Sequence, residues 1–369
     1  MKKYSAILLL LLFLLLPACG GGTAESEPPA SEPIPSVEVT PEPSAQPSEE
    51  PPVEEVAVVC APLTGIPVED ETMVNDRPVA VMLNNLKDAM PQQGNSGADV
   101  IYEVVAEGGI TRMLGVYQSL EDVGTIGSVR SARPYYIELA LGHDAIFVHA
   151  GGSEEAYDDL SAWNVDNMDG VRGQYSYADA GLFWRERDRV EGYWYDYEHS
   201  LVTSGESILN ALAASDIRLE HQEDYVYEMT FAEDGTPADG EAAAVVTVPY
   251  SNYKTGVFRY DGQSGKYFVE EYGQAYVDGN TGEQIAVTNV LVLSTSIRNS
   301  GDSYGHMEVD LTGGTGWFAC GGKIIPITWE KGARDAQLRY YTADGQPLTL
   351  GQGKSYVNIL SDGKEISWE

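Results

Sequence analysis

The run Pro134-Tyr-Tyr-Ile-Glu-Leu-Ala-Leu-Gly142, followed by Asp144-Ala-Ile-Phe-Val-His-Ala150 and Gly151-Gly-Ser153, sets the fold class. Pro134 suits the first position of a helix, because its ring fixes φ near the helical value and its missing N–H loses no partner there. Ile137, Ala140 and Leu141 recur at helical spacing, and Gly142 is a natural stop. The apolar centre of 144–150 reads as a buried strand. Gly151-Gly152 turns the chain. Ser153 then serves as an N-cap, with Glu154 and Glu155 in the first turn of a helix running to about Trp163. Helix, strand, turn and helix in succession indicate an α/β or α+β domain with a mixed sheet.

Just ahead of Pro134 lies Gly124-Thr-Ile-Gly-Ser-Val-Arg-Ser-Ala-Arg133. Ser128, Arg130, Ser131 and Arg133 therefore sit in the loop entering a helix N-terminus, where free N–H groups and the positive end of the dipole favour an anion. Two guanidiniums add forked donors that match carboxylate or phosphate. His149 ends its strand beside a glycine turn, with Ser153 close by, at the edge where open α/β sheets bind ligands. The plain alternative is that the arginines pair with acidic residues elsewhere and that His149 is structural.

Toward the N-terminus, Arg77-Pro-Val-Ala-Val-Met-Leu83 is an apolar strand ended by Asn84-Asn85. Asp99-Val-Ile-Tyr-Glu-Val-Val-Ala-Glu107 suits a strand by its β-branched residues, or one helix face. Both place Glu103 and Glu107 on the same side. A hairpin turn at Gly108-Gly109 sets Arg112 opposite Val105, diagonal to both glutamates. That trio offers an acid/base pair, a cation site, or a surface ion network, the last being the plain one. Glu103, Glu107 and His149 are the catalytic candidates. Arg112 joins Ser128, Arg130, Ser131, Arg133 and Ser153 as a ligand-binding candidate.

Toward the C-terminus, Asn164-Val-Asp-Asn-Met-Asp-Gly170 lacks the alternating carboxylates of a calcium loop, since Met168 falls on a ligand position. No metal site and no cofactor are expected. Phe183-Trp-Arg-Glu-Arg-Asp-Arg189 and Tyr193-Trp-Tyr-Asp-Tyr197 pack aromatics over a sheet or present rings to sugars. Thr203-Ser-Gly-Glu206 is a capping box, opening a helix with Ile208, Leu209 and Leu212 inward. From Tyr225 the texture changes to short apolar runs separated by turns such as Asp261-Gly262 and Gly321-Gly322, which indicates a β-rich region.

The 369 residues allow two domains, and a formal charge of -35 argues against nucleic acid and against polybasic membrane binding. Lys2-Lys3, the ten apolar residues from Ile7 to Leu16, and Leu16-Pro-Ala-Cys19 resemble a bacterial lipoprotein signal cleaved before a lipidated Cys19. Residues 20–56 hold nine prolines, nine glutamates and no lysine or arginine. Such a linker cannot fold, and it can reach on the order of 100 Å. The expected organisation is a signal peptide over 1–18, a linker over 19–56, an α/β domain over 57–222 and a β-rich domain over 223–369. Cys60 and Cys320 form a disulfide or stay as two free thiols; both fit an extracytoplasmic chain.

These stretches resemble the YerB-type lipoproteins, a bacterial family of unknown function. The resemblance rests on Arg77-Pro-Val-Ala-Val-Met82, Ala98-Asp-Val-Ile-Tyr-Glu103, Glu107-Gly-Gly-Ile-Thr-Arg112, Gly127-Ser-Val-Arg-Ser-Ala-Arg-Pro-Tyr135 and His149-Ala-Gly-Gly-Ser153. Phe183-Trp-Arg185, Thr203-Ser-Gly205, Gly321-Gly-Lys323 and Thr328-Trp329 extend it over nearly all of residues 62–360. It implies a lipoprotein with two paired domains, and brings no reaction, cofactor or catalytic residue. The expected function is that of a protein held to the membrane through lipid on Cys19, binding an anionic envelope glycan or peptide. The alternatives are a hydrolase or transferase acting on envelope polymer, and a scaffold for envelope proteins. No Gly-x-Ser-x-Gly elbow or His-Glu-x-x-His motif favours the enzyme.

Overall fold

In the computed structural model, residues 58–177 and 181–369 are described. The expected signal peptide, Cys19 and the linker lie outside them. The fold is built on a mixed sheet whose first strands come from the N-terminal half. These are β1 (Val79–Asn84), β2 (Val100–Val105), β3 (Thr111–Tyr117), β5 (Ile146–His149) and β6 (Asn167–Asp169), while the short β4 (Thr125–Gly127) pairs in a separate small sheet. β3 lies between β1 and β2, antiparallel to both, and β5 runs parallel to β1. The β-branched reading of 99–107 holds over the helical one.

The sheet continues into the C-terminal half without a break. Ser355–Ser361 pairs parallel with β2, from Val100↔Ser355 to Val104↔Ile359, and Asn289–Thr295 pairs parallel beyond it. Gly313–Cys320 and Lys323–Lys331 then add antiparallel strands. The boundary expected near residue 222 therefore does not interrupt the sheet.

Side chains of β1 alternate between two cores, which explains its unbroken apolar run. Ala80 and Met82 face the helices α1 (Pro134–Gly142) and α2 (Glu154–Ala162). Val79, Val81 and Leu83 face a second sheet of Val245–Pro249, Thr255–Asp261 and Lys266–Glu271, together with α3 (Gly205–Ala213). Pro134 occupies the first turn of α1, and Ser153 caps α2 through the Ala156 amide.

Some local expectations move. α3 is capped by Ser204, whose Oγ accepts from the Ser207 amide at 3.1 Å, and Thr203 belongs to the preceding strand. Ile208 and Leu212 are buried, but Leu209 is 41% exposed. Cys60 and Cys320 are free thiols, and burial pushes Cys320 up to about 11.

Candidate functional site: an arginine cluster and a buried carboxylate network

The sequence candidates divide between the two faces of the sheet. Val104 lies opposite Arg112 and Val105 opposite Thr111, one residue away from the expected register, because a 3-10 turn over Glu107–Gly109 replaces a two-residue hairpin. Strand alternation then sends Glu103 toward the second sheet and Arg112 toward α1. Arg112 meets Glu107 and not Glu103, so the expected Glu–Arg–Glu trio does not form.

On the α1 face, Oε1 of Glu107 accepts from Nη2 of Arg133 at 2.7 Å and also from Nη2 of Arg112. Arg112 and Arg133 are only 4% and 5% exposed. Half-buried Arg130 donates Nη1 to the Glu198 carbonyl at 2.7 Å. One ion-paired carboxylate therefore serves a group of three guanidiniums, two of them directly. Nε and Nη1 of Arg112, Nε of Arg133 and Oε2 of Glu107 are buried without a hydrogen-bond partner among the described residues. Burial alone raises the Glu107 carboxyl, but Arg112 and Arg133 outweigh it and hold it below the usual range. Burial, then the Arg112 charge, brings the Arg130 guanidinium down to about 10, so it stays charged at neutral pH. α1 starts here with no side-chain cap and no acidic residue in its first turn, which leaves the positive end of its dipole uncompensated.

The hydroxyls and the histidine beside this cluster already have partners. Ser128 is fully buried, and its Oγ lies 3.2 Å from Nδ2 of Asn84. The same amide nitrogen is 3.0 Å from Nδ1 of His199, whose Nε2 is 3.5 Å from the Glu198 carboxylate. Ser131 donates to the Ala150 carbonyl at 3.2 Å. Fully buried His149 has Nδ1 2.8 Å from the Gly151 carbonyl and Nε2 3.2 Å from Oδ1 of Asn167, with its ring stacked on Phe147. As placed, His149 anchors the Gly151 turn, where φ is +78°, and offers no free nitrogen. In the 164–170 stretch, both Asp169 oxygens are engaged by Gly151, Val171 and Tyr157.

On the other face, Glu103 is fully buried in a polar network joining the two halves of the chain. Oε1 accepts from Asn85 at 2.7 Å and Thr111 at 2.5 Å, and Oε2 from the Tyr356 hydroxyl at 2.5 Å. Nζ of Lys254 is 3.3 Å from Glu103 and pairs closely with Glu271. The Tyr272 ring lies 4.5 Å from that ammonium. Burial pulls the Lys254 ammonium down while Glu103 opposes the change. Sequence reasoning missed Asn84, His199, Lys254, Glu271 and Tyr356. Tyr356 stands 253 residues from the carboxylate it serves, so no local spacing announces it.

Residues 63–218 match the N-terminal domain, and residues 246–357 the C-terminal domain, of a family described as a protein of unknown function, DUF3048. The chain is also 32% identical over 308 residues to "Putative lipoprotein YerB" of Bacillus subtilis (strain 168), covering 82% of this chain and 86% of that protein. The chain belongs to the YerB-type family. A crystal structure of the YerB protein from Bacillus subtilis superposes with a TM-score of 0.70 at 30% identity, over 84% of this chain and 99% of the other. Both matched YerB-type segments feed the long sheet, one through β1–β3 and the other through Asn289–Thr295 and Ser355–Ser361. Among the described residues no helix is long and apolar enough to cross a membrane.

Proposed function

We propose that this YerB-type protein is an extracytoplasmic lipoprotein, tethered through Cys19, that binds an anionic group of an envelope polymer at Arg112, Arg130 and Arg133. The relative's name and the Leu16-Pro-Ala-Cys19 stretch support the tether. The observation that carries the binding is Arg112. Leaving buried donors unpaired costs roughly 1–3 kcal/mol each, more for a charged group. Nε and Nη1 of Arg112 stand in that condition beside the unpaired Nε of Arg133. A phosphate or carboxylate supplies the missing acceptors, and Arg130 forms the accessible side of the cluster. The rest of a chain carrying -35 repels such a ligand, so its grip is concentrated here.

The test uses poly(glycerol phosphate) and poly-glutamate as probes. Arg130→Ala is the clean variant, because Arg130 is half-buried and its lost bond goes to a backbone carbonyl. It weakens binding at least about tenfold and changes folding stability by less than about 1 kcal/mol. Wild-type binding also weakens with salt. Arg133→Ala is a poor probe, since it removes one of the two ion pairs that hold half-buried Glu107. Binding of both polymers that is salt-insensitive and unchanged in Arg130→Ala overturns the proposal.

A further inference from the structure

A separate cavity of about 790 Å³ lies at the other end of α1, and Cys60, Leu63, His143, Tyr225, Tyr227 and Phe231 are among the residues lining it. That volume is in the range of small-molecule sites. No arginine or lysine lines it, while Glu220 and Glu223 do. It therefore has the opposite electrostatics to the arginine cluster and disfavours an anion.

His143 supplies its chemistry. The side chain follows the last turn of α1 and is 5% exposed. Nε2 lies 2.7 Å from the hydroxyl of buried Tyr102, while Nδ1 is buried with no hydrogen-bond partner among the described residues. With the Tyr102 hydroxyl assigned as donor to Nε2, the proton of the neutral imidazole lies on Nδ1. Burial pulls His143 down to about 4, so the ring is neutral and carries that one N–H. His143 thus lines the cavity and holds a buried, unused donor.

Beyond His143 the cavity abuts a hollow of about 20 Å³, and both share Leu63, His143, Tyr227, Met229 and Phe231. Leu139, Leu291 and Val100 wall the hollow. Lys331 also reaches it, but its ammonium is turned to the Ala333 and Arg334 carbonyls. Space of this size takes one small group. Also in the cavity lining, the Tyr225 ring stacks on His221 at 4.1 Å and 10°. A donor beside a small, mainly apolar hollow, with a stacked Tyr225–His221 pair in the same cavity lining, fits an acetamido group.

We propose that this cavity recognises an uncharged acetamido group, its carbonyl oxygen accepting from Nδ1–H of His143 and its methyl entering the hollow. Amino sugars and acylated peptides both carry the group. The site shares no side chain with the arginine cluster, so either proposal can fail alone.

The test follows the His143 ring nitrogens of the full chain by ¹⁵N NMR during titration with di-N-acetylchitobiose, N-acetyl-alanine methylamide and cellobiose. At least one acetylated probe shifts Nδ1 saturably by roughly 10 mM, and cellobiose does not. A response to chitobiose alone identifies the sugar as the source, and a response to the peptide alone identifies the acylated chain. Tyr225→Ala then weakens the sugar arm, and His143→Asn, measured by titration calorimetry because it lacks the ring nitrogens, weakens whichever probe binds by about tenfold. If neither acetylated probe moves Nδ1, or cellobiose moves it equally, the unused donor serves only water and the proposal is overturned.

Discussion

At the level of single residues, His143 links folding to pH. Its unfolded value is near 6.5 and burial lowers the folded value to about 4. Between these limits the unfolded chain binds a proton that the folded chain refuses. The contribution to stability is therefore complete above the unfolded value and is lost as pH falls toward the folded one. From pH 7 to pH 5 it amounts to about 2 kcal/mol. Urea unfolding at the two pH values should show this loss in the wild type and lack most of it in His143→Gln. An equal loss in the variant would assign the acid sensitivity to other groups. Glu107 shifts the opposite way to an isolated buried acid, because two guanidiniums outweigh its burial. Its share is present above the usual glutamate range and disappears at lower pH, as the folded carboxyl takes up its proton.

At the level of elements, α1 organises both proposed sites: Arg133 precedes its first turn and His143 follows its last. Much of this was legible because helix starts and strands carry local signals. Pro134 and Ser153 mark α1 and α2, and the apolar run 79–83 is a strand with a core on each side. What was not legible depended on partners far along the chain. Thr203 and Glu206 have the spacing of a capping box, but Thr203 donates its hydroxyl to the Leu182 carbonyl at 2.8 Å and is held in the strand. The cap passes to Ser204. Ser204→Ala should then cost about 1 kcal/mol in urea unfolding, and Glu206→Ala less than about 0.5 kcal/mol. A larger loss from Glu206 would restore the capping-box reading. The Arg112 register had the same origin. Gly108-Gly109 suggests a two-residue turn, and the 3-10 turn that forms instead assigns Glu103 and Arg112 to opposite faces.

Across the whole molecule, the two matched segments share one sheet and a polar network buried beneath it. Glu103, Thr111 and Asn85 come from the first segment; Lys254, Glu271 and Tyr356 come from the second. By formal charge, two carboxylates share the one ammonium of Lys254, and hydroxyl and amide donors surround Glu103. Removing only the ammonium leaves two carboxylates close together and without a cation, which should cost about 3–5 kcal/mol in Lys254→Met. Removing Glu271 as well restores the original net charge and leaves Glu103 with its three neutral donors. Lys254→Met with Glu271→Met should therefore be more stable than Lys254→Met alone, although it carries one more substitution. A double-mutant cycle in urea measures this coupling directly. If the two losses simply add, Lys254 and Glu271 are not coupled and this charge account fails, while the β2 pairing with Ser355–Ser361 and the Tyr356 hydrogen bond to Glu103 still join the halves.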